Sequence, residues 1–189
     1  MTDRIWADRL AEWIAWNHQE LTESVSKVLP ELVQIRPAST APSVGFHAWH
    51  VGRWVDRNAV TLAGWLDSTA RQPDVWESKG LAERWGLTGV DLGDYGGTGA
   101  GLDDDASAAL QLPGVAEIQA YLAAVFDSLE SVLARIDDDR LLEQRVVDLY
   151  GDESTIGDTI LNHLSHADRH LGMIEALRGV LGERGTATV

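Results

Sequence analysis

The 189-residue chain contains no cysteine. This absence excludes a disulfide, a thiolate metal ligand and a cysteine nucleophile, so any thiol chemistry must come from a bound small molecule. Basic residues are scarce as well, because 15 Lys and Arg stand against 30 Asp and Glu and leave a formal net charge of −15. Nucleic acid and anionic membranes are recognised by clustered Lys and Arg, and we therefore expect neither as a partner.

Long apolar segments are also missing. No run reaches the roughly 18 residues that a transmembrane helix needs, and the N-terminal residues lack a basic region followed by an apolar core. We therefore expect a cytoplasmic protein. The hydrophobic content of 44% is ordinary for a globular protein, and the chain is long enough for one sizeable core. A single domain over residues 1–189 is the resulting prediction.

Four segments of the chain carry apolar residues at helical spacing. Their predicted ranges are Asp3–Leu29, Thr40 or Ser43 to Leu66, Pro113–Ile136, and Ser154 or Thr155 to Gly182. Thr155 and Asp158 have the spacing of a capping box at the start of the last helix. No segment predicts a confident sheet. The expected fold is an all-α four-helix bundle with a long glycine-rich connection between its second and third helices.

Tryptophan is unusually common, with eight Trp against two Phe. Most of these tryptophans occur at helical spacing, and we interpret them as core residues or as the wall of a pocket. The predicted apolar face of the first helix consists of Trp6, Leu10, Trp13, Leu21, Val25 and Val28. Asn17 falls on this face and His18 lies beside it. We expect a buried polar contact for both, and not a role as metal ligands.

The helical pattern disappears between Gly86 and Gly114, a stretch that contains eight glycines. Its glycine spacing does not fit a phosphate-binding loop, and Asp103–Asp105 lacks the pattern of a calcium loop. A loop of this length in a compact domain is commonly a lid or a binding loop. We therefore predict a mobile cover over a pocket. Trp76 and Trp85, in short helical turns before it, are expected either to line this pocket or to pack in the core.

Three of the six histidines, His163, His166 and His170, lie within eight residues of the predicted last helix. Their spacing of i, i+3 and i+7 puts them on one face. His166 and His170 can therefore point their rings at a single metal ion, and one more imidazole would complete a three-histidine site with open positions. The alternative is a solvated helix face with three unrelated histidines. His47 and His50, early in the second predicted helix, are the other candidates.

Two strings in the sequence resemble motifs of the DinB-like proteins. Residues 155–174 are similar to the last-helix motif of that superfamily, and residues 43–53 are similar to its second-helix motif, in which a histidine supplies the remaining ligand. The resemblance implies a divalent metal held by His50, His166 and His170. Imidazole nitrogens suit zinc, nickel, copper or iron, and we expect zinc or nickel here. The resemblance favours His50 over His47 as the ligand.

Several other residues are candidates for the surroundings of this site. His47, His163, Arg53 and Trp54 are expected to lie beside the ligands or in the pocket. Arg53, Asp56 and Asp158 could orient an imidazole, although surface ion pairing is the simpler interpretation of each. Asp168 is expected to be solvated or to contact another helix. Leu171 and Met173 depart from the motif, which usually has arginine and glutamine at these positions.

Some DinB-like proteins are thiol-dependent isomerases or S-transferases that use mycothiol, bacillithiol or glutathione at this metal. The resemblance therefore implies a metal-dependent enzyme that transfers a low-molecular-weight thiol to an electrophilic small molecule. The absence of cysteine fits this activity, because the cosubstrate would supply the nucleophile. Two alternatives remain: a metal-dependent hydrolase, and a non-catalytic metal-binding or ligand-binding protein associated with stress. A homodimer through exposed tryptophans or helix faces is compatible with the sequence.

Overall fold

Four long helices form the bundle that the periodicity predicts. The structure, a computed structural model, describes residues 4–69 and 72–184. Its helices in chain order are α1 (Ile5–Ser26), α2 (Val44–Leu66), α3 (Val75–Ser78), α4 (Leu81–Arg84), α5 (Asp94–Gly97), α6 (Asp104–Ala109), α7 (Val115–Leu133) and α8 (Ile156–Val180). The long helices α1 and α2 each pack against both α7 and α8, and the four short helices all lie in the connection between α2 and α7. The predicted all-α bundle with its long connection is confirmed.

Side-chain caps fix the starts of the two helices that carry the candidate histidines. The backbone N–H of Phe46 donates to Ser43 Oγ at 3.1 Å, and that of Asp158 donates to Thr155 Oγ1 at 3.0 Å. Such caps satisfy backbone donors that the first helical turn leaves unpaired. Ser43 and Thr155 were both among the predicted helix starts. Asp3, the predicted cap of the first helix, lies outside the described residues.

The long helices α1 and α7 end earlier than the periodicity predicts, whereas α2 ends at Leu66 as predicted. α1 stops at Ser26 and α7 at Leu133, three residues before the expected ends in both cases. Val28 and Ile136 are nevertheless buried, because the chain turns back onto the core after each helix. Hydrophobic periodicity therefore identified Val28 and Ile136 correctly as core residues but overextended both helices.

A small antiparallel hairpin precedes α8, where the sequence predicts a connection with a short extended piece but no confident sheet. Strands β1 (Arg145–Val147) and β2 (Glu153–Thr155) pair with Arg145 opposite Thr155. Strands of three residues are too short to show the alternation that identifies a strand in sequence. Because β2 ends at the capping residue of α8, the hairpin fixes where that helix begins.

Two tryptophans assigned to the core lie on the surface. Trp6 is 62% exposed and Trp13 is 47% exposed, so their placement on the buried face of α1 is wrong. The buried face passes through Ala7 and Ile14 instead, each one residue further along, which is about 100° of helix rotation. Trp6 and Trp13 border a groove of about 690 Å³ between α1 and the start of α8.

The polar residues expected inside the bundle do make buried contacts. The side chain of Asn17 donates to Asp168 Oδ1 of α8 at 2.5 Å. The ring of His18 stacks on Phe126 at 3.8 Å, and its Nδ1 lies 2.9 Å from a carboxylate oxygen of Glu130. Each residue therefore has the buried polar contact predicted for it. Among the described helices, none combines the length and the apolar character needed to cross a lipid bilayer.

We expect Ile14→Ala and Trp6→Gln to differ sharply in their effect on stability. Ile14 is 1% exposed, so its truncation should lower the free energy of unfolding by about 2–5 kcal/mol. Trp6 is largely solvated, and its replacement should lower the same free energy by less than about 1 kcal/mol. Urea unfolding followed by far-ultraviolet circular dichroism measures both. Equal losses for the two variants would contradict the orientation of α1.

Candidate metal centre

Helices α2 and α8 bring three histidines together inside the bundle. His50 Nε2 of α2 lies 3.1 Å from His166 Nε2 of α8. One ring nitrogen from each of His50, His166 and His170 lies within 4.8 Å of the other two. Over the two described ranges, no other group of three His, Asp or Glu side chains meets this criterion. The three residues that the resemblance implies as ligands are therefore neighbours in space, and their role as ligands stays a prediction.

The geometry of His50 fits a metal ligand. Its Nδ1 lies 2.5 Å from the backbone carbonyl oxygen of Thr98, which can only accept a hydrogen bond. Nδ1 therefore carries the proton, and Nε2 keeps the lone pair that a metal requires. Zn–N bonds are about 2.0–2.1 Å long, so two nitrogens on one ion lie roughly 3–3.4 Å apart. The observed 3.1 Å between His50 Nε2 and His166 Nε2 falls in this range.

Burial keeps these imidazoles in the neutral form that binds metal. Desolvation, followed by repulsion from His50, lowers the pKa of His166 to about 4. Desolvation and repulsion from the neighbouring histidines lower the pKa of His170 to about 2. The pKa of His50 is also lowered, again mainly by burial. All three groups are therefore neutral at pH 7, and no proton competes for their lone pairs.

His47 and Trp54 surround the three histidines without joining them. His47 Nδ1 lies 2.9 Å from His170 Nδ1, so one of the two nitrogens must carry the shared proton. Burial lowers the pKa of His47 to about 4, and the pair is neutral at pH 7. The Trp54 ring lies 5.9 Å from that of His166 and 6.4 Å from that of His50. Both residues border the candidate ligands, where the sequence predicts them.

His163 lies one turn before His166 and points into a different environment. It is buried, its Nδ1 lies 3.5 Å from Asn58 Nδ2, and its ring meets that of His18 edge-on at 5.9 Å. Desolvation lowers its pKa to about 3. His163 lines the small cleft beside His166 but does not belong to the group of three.

Arg53 and Asp56 are buried, so the interpretation of these two residues as surface ion pairs is wrong. The side chain of Arg53 is 2% exposed and that of Asp56 is 0% exposed. Arg53 donates to the carbonyl oxygens of Gly97 at 3.0 Å and Gly96 at 2.6 Å. Asp158, by contrast, is exposed and caps α8, where Thr155 donates to its carboxylate at 2.8 Å.

Part of the predicted cover packs directly on the site. Thr98 and Gly99 are buried, and Gly99 lies against the rings of Phe46, Trp49 and His50. Sequence reasoning did not single out Thr98, because a backbone carbonyl leaves no signal in the residue type. The location over the site agrees with the expectation, and the mobility of the connection stays a prediction. Trp76 and Trp85 both pack on Tyr121, which is ordinary core packing.

A cleft of about 40 Å³ lies beside His166 and is lined by Asn58, Thr159, Asn162 and Tyr150, among others. Trp54 lines it as well, and Tyr95 packs against the rings of both Trp54 and Tyr150. The rings of Trp54, Tyr95 and Tyr150 have centroids 5.1–5.5 Å apart, and we call them the aromatic trio. Tyr95 has φ of 53°, an unusual left-handed conformation for a residue other than glycine. At about 40 Å³ the cleft has room for only a few water-sized molecules, so a larger ligand requires some of the residues that line it to move.

The two departures from the last-helix motif contribute no polar group to the site. Leu171 packs against the hydrophobic core, and Met173 is 39% exposed. Arg169 of α8 lies two residues before Leu171, is exposed, and contributes through its charge to the lowered pKa values of His166 and His170. Arg169 is therefore a source of positive charge near these two histidines.

Comparison with known proteins identifies a family and a similar solved structure. The family model of the DinB superfamily matches residues 14–174. The crystal structure of a conserved protein from Enterococcus faecalis aligns with a TM-score of 0.69 and 18% sequence identity, covering 97% of this chain and 99% of that one. At this identity the likeness shows the fold alone. No curated protein matches the chain.

Alanine substitutions at His166 and His47 should distinguish a metal ligand from a residue that only contacts a ligand. We expect His166→Ala to abolish stoichiometric metal binding, and His47→Ala to weaken the affinity by about 10- to 100-fold, as is typical for residues that orient a ligand. Elemental analysis and titration with zinc measure the two effects. Ser165→Ala, an exposed neighbour on α8, is the control. Full metal retention in His166→Ala, or complete loss in His47→Ala, would reassign the ligand.

His163 should make the metal-free protein less stable in acid. Its pKa is near 6.5 when unfolded and about 3 when folded, so below pH 6.5 only the unfolded state takes up the proton. Stability is therefore full above pH 6.5 and declines as the pH falls toward 3. Between about pH 6.5 and 4.5, the wild type should lose roughly 2 kcal/mol more than His163→Gln. Urea unfolding at several pH values measures the free energy of unfolding of both proteins. The contributions of the other histidines cancel in the difference, because both proteins contain them. Parallel curves would contradict the buried neutral His163.

Proposed function

The chain belongs to the DinB superfamily, and from this premise and the three-histidine cluster we propose a metal-dependent enzyme that uses a low-molecular-weight thiol. The reaction would be of the S-transferase or isomerase type, on an electrophilic small molecule. The observation that carries the proposal is the approach of His50, His166 and His170 to within 4.8 Å, with His50 Nδ1 held by a carbonyl oxygen. The chain has no cysteine, so the thiol would be a cosubstrate such as mycothiol, bacillithiol or glutathione.

The three imidazoles would hold a divalent ion, zinc or nickel, without neutralising it. Such an ion keeps its full charge and lowers the pKa of a thiol bound to it, which makes the thiolate available at neutral pH. The residues around the site supply the remaining conditions. Thr98 fixes the proton of His50 on Nδ1, and His47 shares a proton with His170. Each contact would restrict the orientation of one of the imidazole rings around the ion.

Binding groups for the organic reactants lie on the cleft side of His166. Asn58, Asn162 and Thr159 offer amide and hydroxyl groups, and the aromatic trio offers apolar ring surface. Asp148 also lines the cleft, but its carboxylate accepts from the backbone of Tyr150 and Asp152 in the hairpin turn. Exposed Arg169 would attract an anionic group such as a carboxylate, in a chain that is otherwise strongly acidic.

One observation favours a second function, a metal-binding protein without turnover. The cleft of about 40 Å³ is far below the roughly 300 Å³ and more of typical ligand pockets. Catalysis on a larger substrate therefore requires the lining of this cleft to open, whereas metal binding alone does not. The larger groove at Trp6 and Trp13 is lined by none of the six histidines.

The proposed activity predicts turnover that depends on both thiol and metal. Zinc-loaded and nickel-loaded protein would be assayed with mycothiol, bacillithiol and glutathione, each against chlorodinitrobenzene and a panel of unsaturated acids. We expect turnover with at least one thiol and its loss in His166→Ala, because that variant lacks a candidate ligand. Ser165→Ala should retain the wild-type rate. Tight metal binding without turnover in any combination would favour the non-catalytic function, and ester hydrolysis without thiol would favour a hydrolase.

A further inference from the structure

We infer that residues 96–99 of the glycine-rich connection, anchored by Arg53, position the His50 imidazole for metal binding. We call these four residues the loop support. The inference rests on the metal site of the proposed function, and it assigns to Arg53 and Gly99 a positioning role at that site.

The first step is the contact between the loop support and the ring. Thr98 is 0% exposed, and its carbonyl oxygen lies 2.5 Å from His50 Nδ1. Backbone hydrogen bonds on both sides fix the position of this carbonyl. The N–H of Thr98 donates to the backbone carbonyl oxygen of Asp94 at 3.0 Å, and the N–H of Gly99 donates to that of Leu92 at 2.7 Å. A carbonyl held this way selects one tautomer and one orientation of the imidazole.

The second step is the anchor. Arg53 lies three residues after His50 on α2, on the same helix face. Its Nε and one terminal nitrogen donate to the carbonyl oxygens of Gly97 and Gly96, at 3.0 and 2.6 Å. His50 and Arg53 together therefore bind three consecutive carbonyl groups, those of residues 96, 97 and 98. Only a planar guanidinium presents two parallel N–H groups for such a pair, and a lysine ammonium cannot reproduce it.

Further contacts hold the guanidinium itself in place. Its remaining nitrogen lies 3.2 Å from Asp56, 3.3 Å from Asp74 and 3.4 Å from the hydroxyl of Tyr121. The guanidinium carbon lies 4.9 Å from the centre of the Trp76 ring. Residues of α2, α7 and the start of α3 therefore hold Arg53 in one position. Because Arg53 donates to the carbonyl oxygens of Gly96 and Gly97, these contacts also restrict the loop support.

The third step is steric. Gly99 has φ of +86°, and a Cβ added there would lie 2.9 Å from Trp49 Cζ3, 3.1 Å from His50 Nδ1 and 3.1 Å from Phe46 Cζ. A side chain at this position would therefore push on the His50 ring or displace the loop. Gly89 has a similar φ of +78° in the same connection, but an added Cβ there meets nothing within 4 Å. Both glycines therefore require a positive φ, but only Gly99 lies against residues of the site.

The test compares zinc affinity in four proteins by competition with a chromophoric chelator. Gly99→Ala and Arg53→Lys should each weaken zinc binding by about 10- to 100-fold. Gly89→Ala should bind zinc like the wild type, although it carries the same backbone strain. Far-ultraviolet circular dichroism and urea unfolding verify that each variant is folded. Equal affinity in Gly99→Ala, Arg53→Lys and the wild type would overturn the inference.

A second readout does not require metal, and its measurement on the wild type does not depend on the variants being stable. Nitrogen-15 NMR of the metal-free wild type should show His50 as the Nδ1–H tautomer, with an Nδ1 proton that exchanges slowly with water. Folded Gly99→Ala and Arg53→Lys should show a mixture of tautomers or faster exchange, which a merely stabilising role would not produce. A wild-type His50 protonated on Nε2 would overturn the inference. A wild type with the expected tautomer that binds no zinc would overturn the proposed metal site instead.

Discussion

The structure around the histidines depends on one buried ionic interaction, that of Arg53 with Asp56 and Asp74. A guanidinium that is 2% exposed is stable in the interior only if its charge is paired and its N–H groups are bonded. Asp56 pairs with the charge of Arg53. The Asp56 carboxylate also accepts hydrogen bonds from the backbone N–H groups of Val75 and Trp76, both at 2.8 Å. Burial raises the pKa of Asp56 to about 6. One charged pair therefore joins α2 to the start of α3 and leaves two N–H groups for the glycine-rich connection.

The electrostatics of the site contrast with those of the chain as a whole. The formal net charge of −15 attracts cations from solution, but the cluster of His50, His166 and His170 includes no carboxylate. Burial lowers the pKa of each of these histidines, so the cluster is neutral at pH 7. An ion bound there would therefore keep a charge that carboxylate ligands would have reduced. This separation of an acidic exterior from a neutral ligand set suits chemistry that needs a strong Lewis acid.

The sequence predicted features that are encoded locally and missed those that depend on tertiary packing. The i, i+4 spacing of His166 and His170 and the caps at Ser43 and Thr155 are local, and the structure has them. The choice of His50 as their neighbour came from family resemblance, because spacing cannot relate two helices that are distant in the sequence. Trp6 and Trp13 were misplaced because a helix face is defined only to within about one residue by apolar periodicity.

The glycine-rich connection shows why composition alone could not distinguish a mobile loop from a packed one. Glycine lowers the cost of a disordered loop, but it also permits positive φ and close contact, and both uses give the same composition. The difference lies in whether the backbone carbonyls of the loop find partners inside the protein. Here Arg53 and His50 donate to three of them in succession, at residues 96, 97 and 98. Opening this part of the loop would leave a buried guanidinium short of two hydrogen bonds, at a cost of several kcal/mol. Motion that admits a ligand is therefore expected at the exposed rings of Tyr95 and Tyr150, and not at the loop support.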